Sequence, residues 1–153
     1  MYNPTTSDPP VMDDVFPAAM EHITIASHGS KIHGIIYLAS GSGPHPTAIL
    51  LHGFPGNERN LDLAQAIRRA GWNAVYFNYR GSWGSEGDYL LQNAVEDTQV
   101  LIEYLHSDKA KDYRIDPETI ALIGHSMGGA YAFAVAIQDS SVKYIASLAG
   151  INL

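Results

Sequence analysis

Cysteine is absent from the 153 residues, so disulfides, thiolate nucleophiles and thiolate metal sites are all excluded. Basic residues are few, 9 against 16 acidic ones, for a formal net charge of −7. Phosphate binding needs a basic stripe, and with none present no nucleic-acid partner is expected. Apolar runs long enough to span a bilayer, roughly 20 residues, are missing as well. Residues 1–17 hold three prolines before Phe16 and no basic stretch followed by an apolar one, so they resemble neither a signal peptide nor an anchor. The expected setting is cytoplasmic with no membrane contact, although a cleaved leader would leave the same sequence. Charged residues amount to 16% and hydrophobic ones to 46%, a balance that predicts one folded domain.

The predicted organisation is an extended N-terminal arm over residues 1–17 and a domain over 18–153. Strand-like segments at 21–27 and 31–38 flank a tight turn at His28-Gly29-Ser30, and a loop of glycine, serine and proline covers 40–46. From residue 47 strands and helices alternate. Short apolar runs at 47–52, 73–79, 119–124 and 143–149 suit strands buried on both faces. Helical periodicity marks 57–71, where Leu63, Ala66, Ile67 and Ala70 share a face before Gly71 at the C-cap. It also marks 93–107, with Thr98, Leu101, Ile102 and Leu105 on one face and Asn93 and Glu96 as a cap pair. Residues 126–138 are apolar almost all round, as in a buried helix. This order predicts an α/β fold of about six strands, a mostly parallel sheet with helices on both faces.

Gly124-His125-Ser126-Met127-Gly128-Gly129 fits G-x-S-x-G between a buried strand and an apolar helix. That is where a nucleophile elbow must lie. Gly124 and Gly128 are required because side chains there would strike backbone, and the strained turn lifts the Ser126 hydroxyl above the sheet. The bland alternative is a glycine-rich turn with a serine N-cap. An acyl-transfer site also needs two backbone N–H groups aimed at the oxyanion. Met127, after the nucleophile, would give one. Phe54, in the loop His52-Gly53-Phe54-Pro55-Gly56, would give the other, since Pro55 has no N–H.

HGFPG at 52–56, FNYRGSWGSEGDY at 77–89 and GHSMGG at 124–129 together resemble the α/β-hydrolase superfamily, in particular its esterase-like and prolyl-oligopeptidase-like branches. The resemblance covers about residues 20–153. It implies the first six strands of a larger sheet, Ser126 as nucleophile, Phe54 and Met127 as oxyanion donors, and Tyr79-Arg80-Gly81 beside the site. Arg80 reads equally well as the anchor of its loop. In this family the acid and the histidine follow the nucleophile, and this sequence reaches neither, so the resemblance is to a truncated fold.

Among residues present, His52 is the candidate substitute base, against a packing role. His125 should point away from the serine. His106 suits a helix C-terminus, and the remaining histidines show no metal pairing. Asp13-Asp14 and Glu96-Asp97 read as solvated charges or caps. Neither a dinucleotide fingerprint nor a phosphate loop is present, so no cofactor and no metal are expected. The predicted function is acyl transfer from a small ester, thioester or amide through Ser126, weak or absent in this chain alone. The alternative is an inactive fold that binds or oligomerises. Either way a homo-oligomer is expected through the open edge of strand 143–149.

Overall fold

In the computed structural model, which describes residues 2–151, a six-stranded sheet carries helices on both faces. Residue 1 and residues 152–153, the outer ends of the predicted arm and domain, lie outside the described residues. The elements are β1 (Ala19–Ser27), β2 (Ser30–Leu38), β3 (His45–Leu51), α1 (Leu61–Arg69), β4 (Asn73–Phe77), α2 (Leu91–His106), α3 (Lys109–Asp112), β5 (Ile115–His125), α4 (Met127–Gln138) and β6 (Val142–Leu148). Their order across the sheet is β1-β2-β4-β3-β5-β6. β1 and β2 form a hairpin, β2 meets β4 antiparallel, and β4, β3, β5 and β6 run parallel. The hairpin closes on His28 and Gly29, both at positive φ (47° and 84°), the backbone that a two-residue turn demands.

The central strands are apolar on both faces because both are covered. Ile49 and Leu51 of β3 and Val75 and Phe77 of β4 join the core beneath α2 and α4. Their neighbours Leu50, Ala74 and Tyr76 pack with Ala64 of α1 on the opposite face. Leu101, Ile102 and Leu105 of α2 recur at helical spacing and are buried in the first of these cores. No helix of the described residues is long and apolar enough to cross a membrane.

Several boundaries differ from the sequence reading. α1 starts at Leu61 instead of 57, because residues 57–60 complete the loop after β3 and end on Asn60 in a left-handed conformation. The buried face then centres on Ala64, while Ala70 is exposed. α2 starts at Leu91, which puts Asn93 and Glu96 inside the helix, where they form no cap. Asn93 instead donates its amide to the Asp88 carbonyl at 2.8 Å. β5 begins upstream of Pro117, and the register of its pairing with β3 breaks there, which spares the proline a ladder bond it could not make.

Residues 2–17 lie against the domain. The Tyr2 hydroxyl donates to the Arg69 carbonyl at 2.6 Å, Asp8 pairs with Arg68 and Arg69, and the Asp13 amide donates to Ser40 Oγ at 2.7 Å.

The acidic pair on α2 is where the structure departs furthest from a solvated reading. Asp97 is fully buried. It accepts from the Arg80 backbone amide and from Arg80 Nε, each at 2.7 Å, and from the Ser27 hydroxyl. Arg80 also donates to Glu96 at 2.6 Å. Burial opposes the charge on Arg80, but the two carboxylates outweigh it and hold its pKa above the usual value. The hydrogen bond from Arg80, helped by one from Gln92, holds Glu96 below its usual range. One carboxylate therefore ties the β1–β2 turn, the loop after β4 and α2 together.

Replacing Asp97 with Ala leaves the Arg80 backbone amide and Nε without their acceptor and only Glu96 to pair the largely buried guanidinium. The expected cost is about 3–5 kcal/mol in urea denaturation, with Glu96→Gln costing only a small fraction of that.

Candidate active site

Ser126 links β5 to α4 at φ 54° and ψ −121°, a conformation that a side-chain-bearing residue holds only when its surroundings impose it. The surroundings here are glycines. A Cβ on Gly124 would run into the Gly128 carbonyl, and one on Gly128 into the Leu51 carbonyl of β3. Strand, turn and helix thus meet backbone to backbone. The Ser126 amide donates to the Leu148 carbonyl at 2.9 Å, and its carbonyl accepts from Gly129 at 3.0 Å. The Ser126 side chain makes no capping hydrogen bond, so a serine N-cap does not account for this residue.

The loop after β3 lies directly beside it. A Cβ on Gly53 would sit 2.9 Å from Ser126 Cβ and 3.3 Å from Oγ. Sequence reading named Gly53 only as part of its motif; the need for glycine there comes from this close approach. Gly53, Phe54, Pro55 and Ser126 line a cleft of about 200 Å³, which His125, expected to turn away, also borders. Met127 is the first residue of α4, and its amide therefore has no acceptor within the helix. Phe54 follows Gly53 and is 62% exposed, with its ring 5.3 Å from that of Tyr89.

A cluster of tyrosines packs beside the loop that carries Phe54, and the sequence did not announce it. The Tyr89 and Tyr131 hydroxyls are 2.6 Å apart, and Tyr131 donates to Met127 Sδ at 2.7 Å. Tyr79, fully buried, stands edge-on to Tyr131 at 5.5 Å and donates its hydroxyl to the His52 carbonyl at 3.1 Å. Burial, foremost, pushes the Tyr79 and Tyr131 phenols far above their ordinary range, so they remain neutral donors.

His52 is 2% exposed, its ring 4.2 Å from that of Tyr79. Its Nδ1 lies 2.8 Å from the Gly53 carbonyl, which can only accept. Nδ1 therefore carries the proton, and Nε2 is a buried lone pair with no donor. Burial lowers the His52 pKa, Arg59 adds to the effect, and the Gly53 carbonyl opposes it. His106, placed by sequence at a helix end, is there and bonds the Pro117 carbonyl at 2.8 Å.

The family model BD-FAE, which describes an α/β-hydrolase-type domain, matches residues 35–147. An uncharacterised 31.7 kDa Escherichia coli protein from the traX-finO intergenic region is 36% identical over 110 residues, 70% of this chain and 38% of that protein. An sn-1-specific diacylglycerol lipase of Xenopus tropicalis is 30% identical over 116 residues, 74% and 34% of the two chains. The chain spans less than half the length of these curated relatives. Among solved structures, EstE1, a thermostable carboxylesterase cloned from a metagenomic library, superposes with a TM-score of 0.71 at 24% identity. That match covers 89% of this chain and 48% of the other, and at such identity the likeness is one of fold.

A histidine that folds with its pKa depressed binds fewer protons than it does unfolded. The stability due to neutral His52 is therefore complete above the unfolded value of about 6.5 and lost as pH falls through the folded one. The melting temperature should decline between pH 7 and pH 5, and His52→Gln should flatten that decline.

Proposed function

The chain belongs to the BD-FAE family of α/β-hydrolase-type domains, and from that membership we propose that Ser126 is the nucleophile of a serine hydrolase acting on small esters, thioesters or amides. The observation that carries this reading is the strained Ser126 backbone with Gly53 pressed against its side chain. Ser126 Oγ attacks the acyl carbonyl and gives up its proton to a base. The carbonyl oxygen becomes an oxyanion facing the amides of Phe54 and Met127, and the leaving group departs on reprotonation. Water then releases the acyl group by the same steps. The elbow at the N-terminus of α4 adds a favourable helix dipole for the developing charge.

The base is the part this reading leaves to other residues. His52 is neutral with a free Nε2, the right protonation state for a base, but that atom is buried and the ring packs on Tyr79. The packing role suits it better. In the chain order of this family the acid and histidine follow the serine, and a triad without its histidine loses about 10⁶ in turnover.

The second reading, a module that associates with its own copies, is favoured by one feature. β6 is the last strand of the sheet among the described residues, and an apolar hollow of about 290 Å³ lies beside it, bordered by Trp72, Ile123 and Tyr144. Such an edge pairs readily with a second copy.

A fluorophosphonate probe with peptide mapping tests the first reading: labelling is expected on Ser126 and lost in Ser126→Ala. Labelling elsewhere, or none in well-folded protein, would remove Ser126 from the mechanism. Light scattering after size exclusion tests the second, which expects a dimer or larger species and fails on a stable monomer.

A further inference from the structure

The loop carrying Gly53 and Phe54 has no regular structure of its own, so something else must hold it against Ser126. On its inner side that is His52, through Nδ1 and the Gly53 carbonyl. On its outer side it is a residue from another strand's loop. The indole N–H of Trp83 donates to the Pro55 carbonyl at 2.9 Å. The Arg59 guanidinium lies over the same indole, 5.7 Å from its centre. Between the two rings passes Gly56 at φ 85°, where a Cβ would fall 2.6 Å from His52 Nδ1 and 2.8 Å from Trp83 Nε1. The loop is gripped from both sides at van der Waals distance.

Burial does not explain Trp83, which is 49% exposed and sits at φ 44°, a backbone that costs a tryptophan energy to hold. Its turn is nonetheless stiff. Asn78 Nδ2 donates to the Trp83 carbonyl at 3.3 Å, and Asn78 Oδ1 accepts from the Tyr76 hydroxyl at 2.8 Å. Ser85 Oγ donates to the Asn78 carbonyl at 2.8 Å, and Arg80 locks the start of the same segment onto Asp97. A strained, half-exposed indole on a braced turn, spending its one donor on the Pro55 carbonyl, reads as a device for fixing the loop that carries Phe54.

We propose that Trp83 is a positioning residue for the oxyanion loop: its N–H, bonded to the Pro55 carbonyl, holds the Phe54 amide in place beside Ser126. This rests on the reading of Ser126 as nucleophile. Trp83 touches no reacting atom. Freeing the loop should weaken one oxyanion donor without deleting it, so the loss is expected to be about tenfold, below the about 10²–10³ of removing a donor outright.

The test uses the full chain and a fluorophosphonate probe. Trp83→Phe keeps an aromatic ring and removes the donor. It is expected to label at Ser126 about tenfold more slowly than wild type with its thermal transition unchanged. In Trp72→Phe protein, where Trp83 is the sole indole, the emission is expected to shift as Ser126 is labelled, and this measurement decides the matter if Trp83→Phe fails to fold. Labelling of Trp83→Phe at the wild-type rate, or an emission that does not respond, overturns the proposal while leaving Ser126 as nucleophile. Wild-type protein that takes no label at Ser126 overturns both together.

Discussion

Where β5 gives way to α4, three pieces of backbone occupy space in which side chains would ordinarily stand. Gly124 faces the Gly128 carbonyl, Gly128 faces the Leu51 carbonyl, and Gly53 faces Ser126. Because no Cβ intervenes, the helix can begin one residue after the serine, and the serine must adopt its strained conformation to make the turn. Such a conformation costs on the order of 1–3 kcal/mol. The burial of Tyr131, Ala132 and Val135 from α4 against β3 and β5 offsets it. Substituting any of these glycines moves the helix or the serine, and with it the cleft.

One loop lines the cleft with Ser126 and a second bonds to that loop through Trp83, both arising at the same end of the sheet, from adjacent strands β3 and β4. Such strand ends are where α/β folds gather their binding residues. The loop after β3 supplies Gly53 and Phe54. The loop after β4 is anchored at its start by Arg80 on Asp97 and reaches Met127 at its end through Tyr89 and Tyr131. A buried ion pair is weak grounds for stability in itself, since desolvation consumes much of its attraction. Its geometric effect is clearer: Asp97 offers both carboxylate oxygens to Arg80 and fixes the direction in which that loop leaves the sheet.

The parts legible in the sequence were those governed by local pattern. Continuous apolar runs gave the parallel strands, helical spacing gave α1 and α2, an all-round apolar run gave α4, and G-x-S-x-G between a strand and a helix located the strained turn at Ser126. The misjudged parts depend on contacts distant in sequence. Asp97 beside Glu96 looks like surface charge until Arg80, 17 residues away, closes on it. Asn93 and Glu96 match a capping pattern, yet the helix starts earlier and Arg80 and Asp88 claim their side chains. Gly53 sits in a motif where glycine is unremarkable until Ser126 arrives 73 positions later in the chain. Trp83 carried no signal, because nothing in its neighbourhood announces that Pro55 will need a donor.

If Ser126 is the nucleophile and Phe54 and Met127 are the oxyanion donors, one hydroxyl and two amides converge on a single reacting carbon. A crystal structure of the protein bearing a phosphonyl adduct tests it most directly. The expected adduct has phosphorus bonded to Ser126 Oγ and one phosphonyl oxygen about 2.7–3.1 Å from the backbone nitrogens of both Phe54 and Met127. An adduct oxygen turned to solvent, or a Phe54 nitrogen pointing away from it, would contradict it.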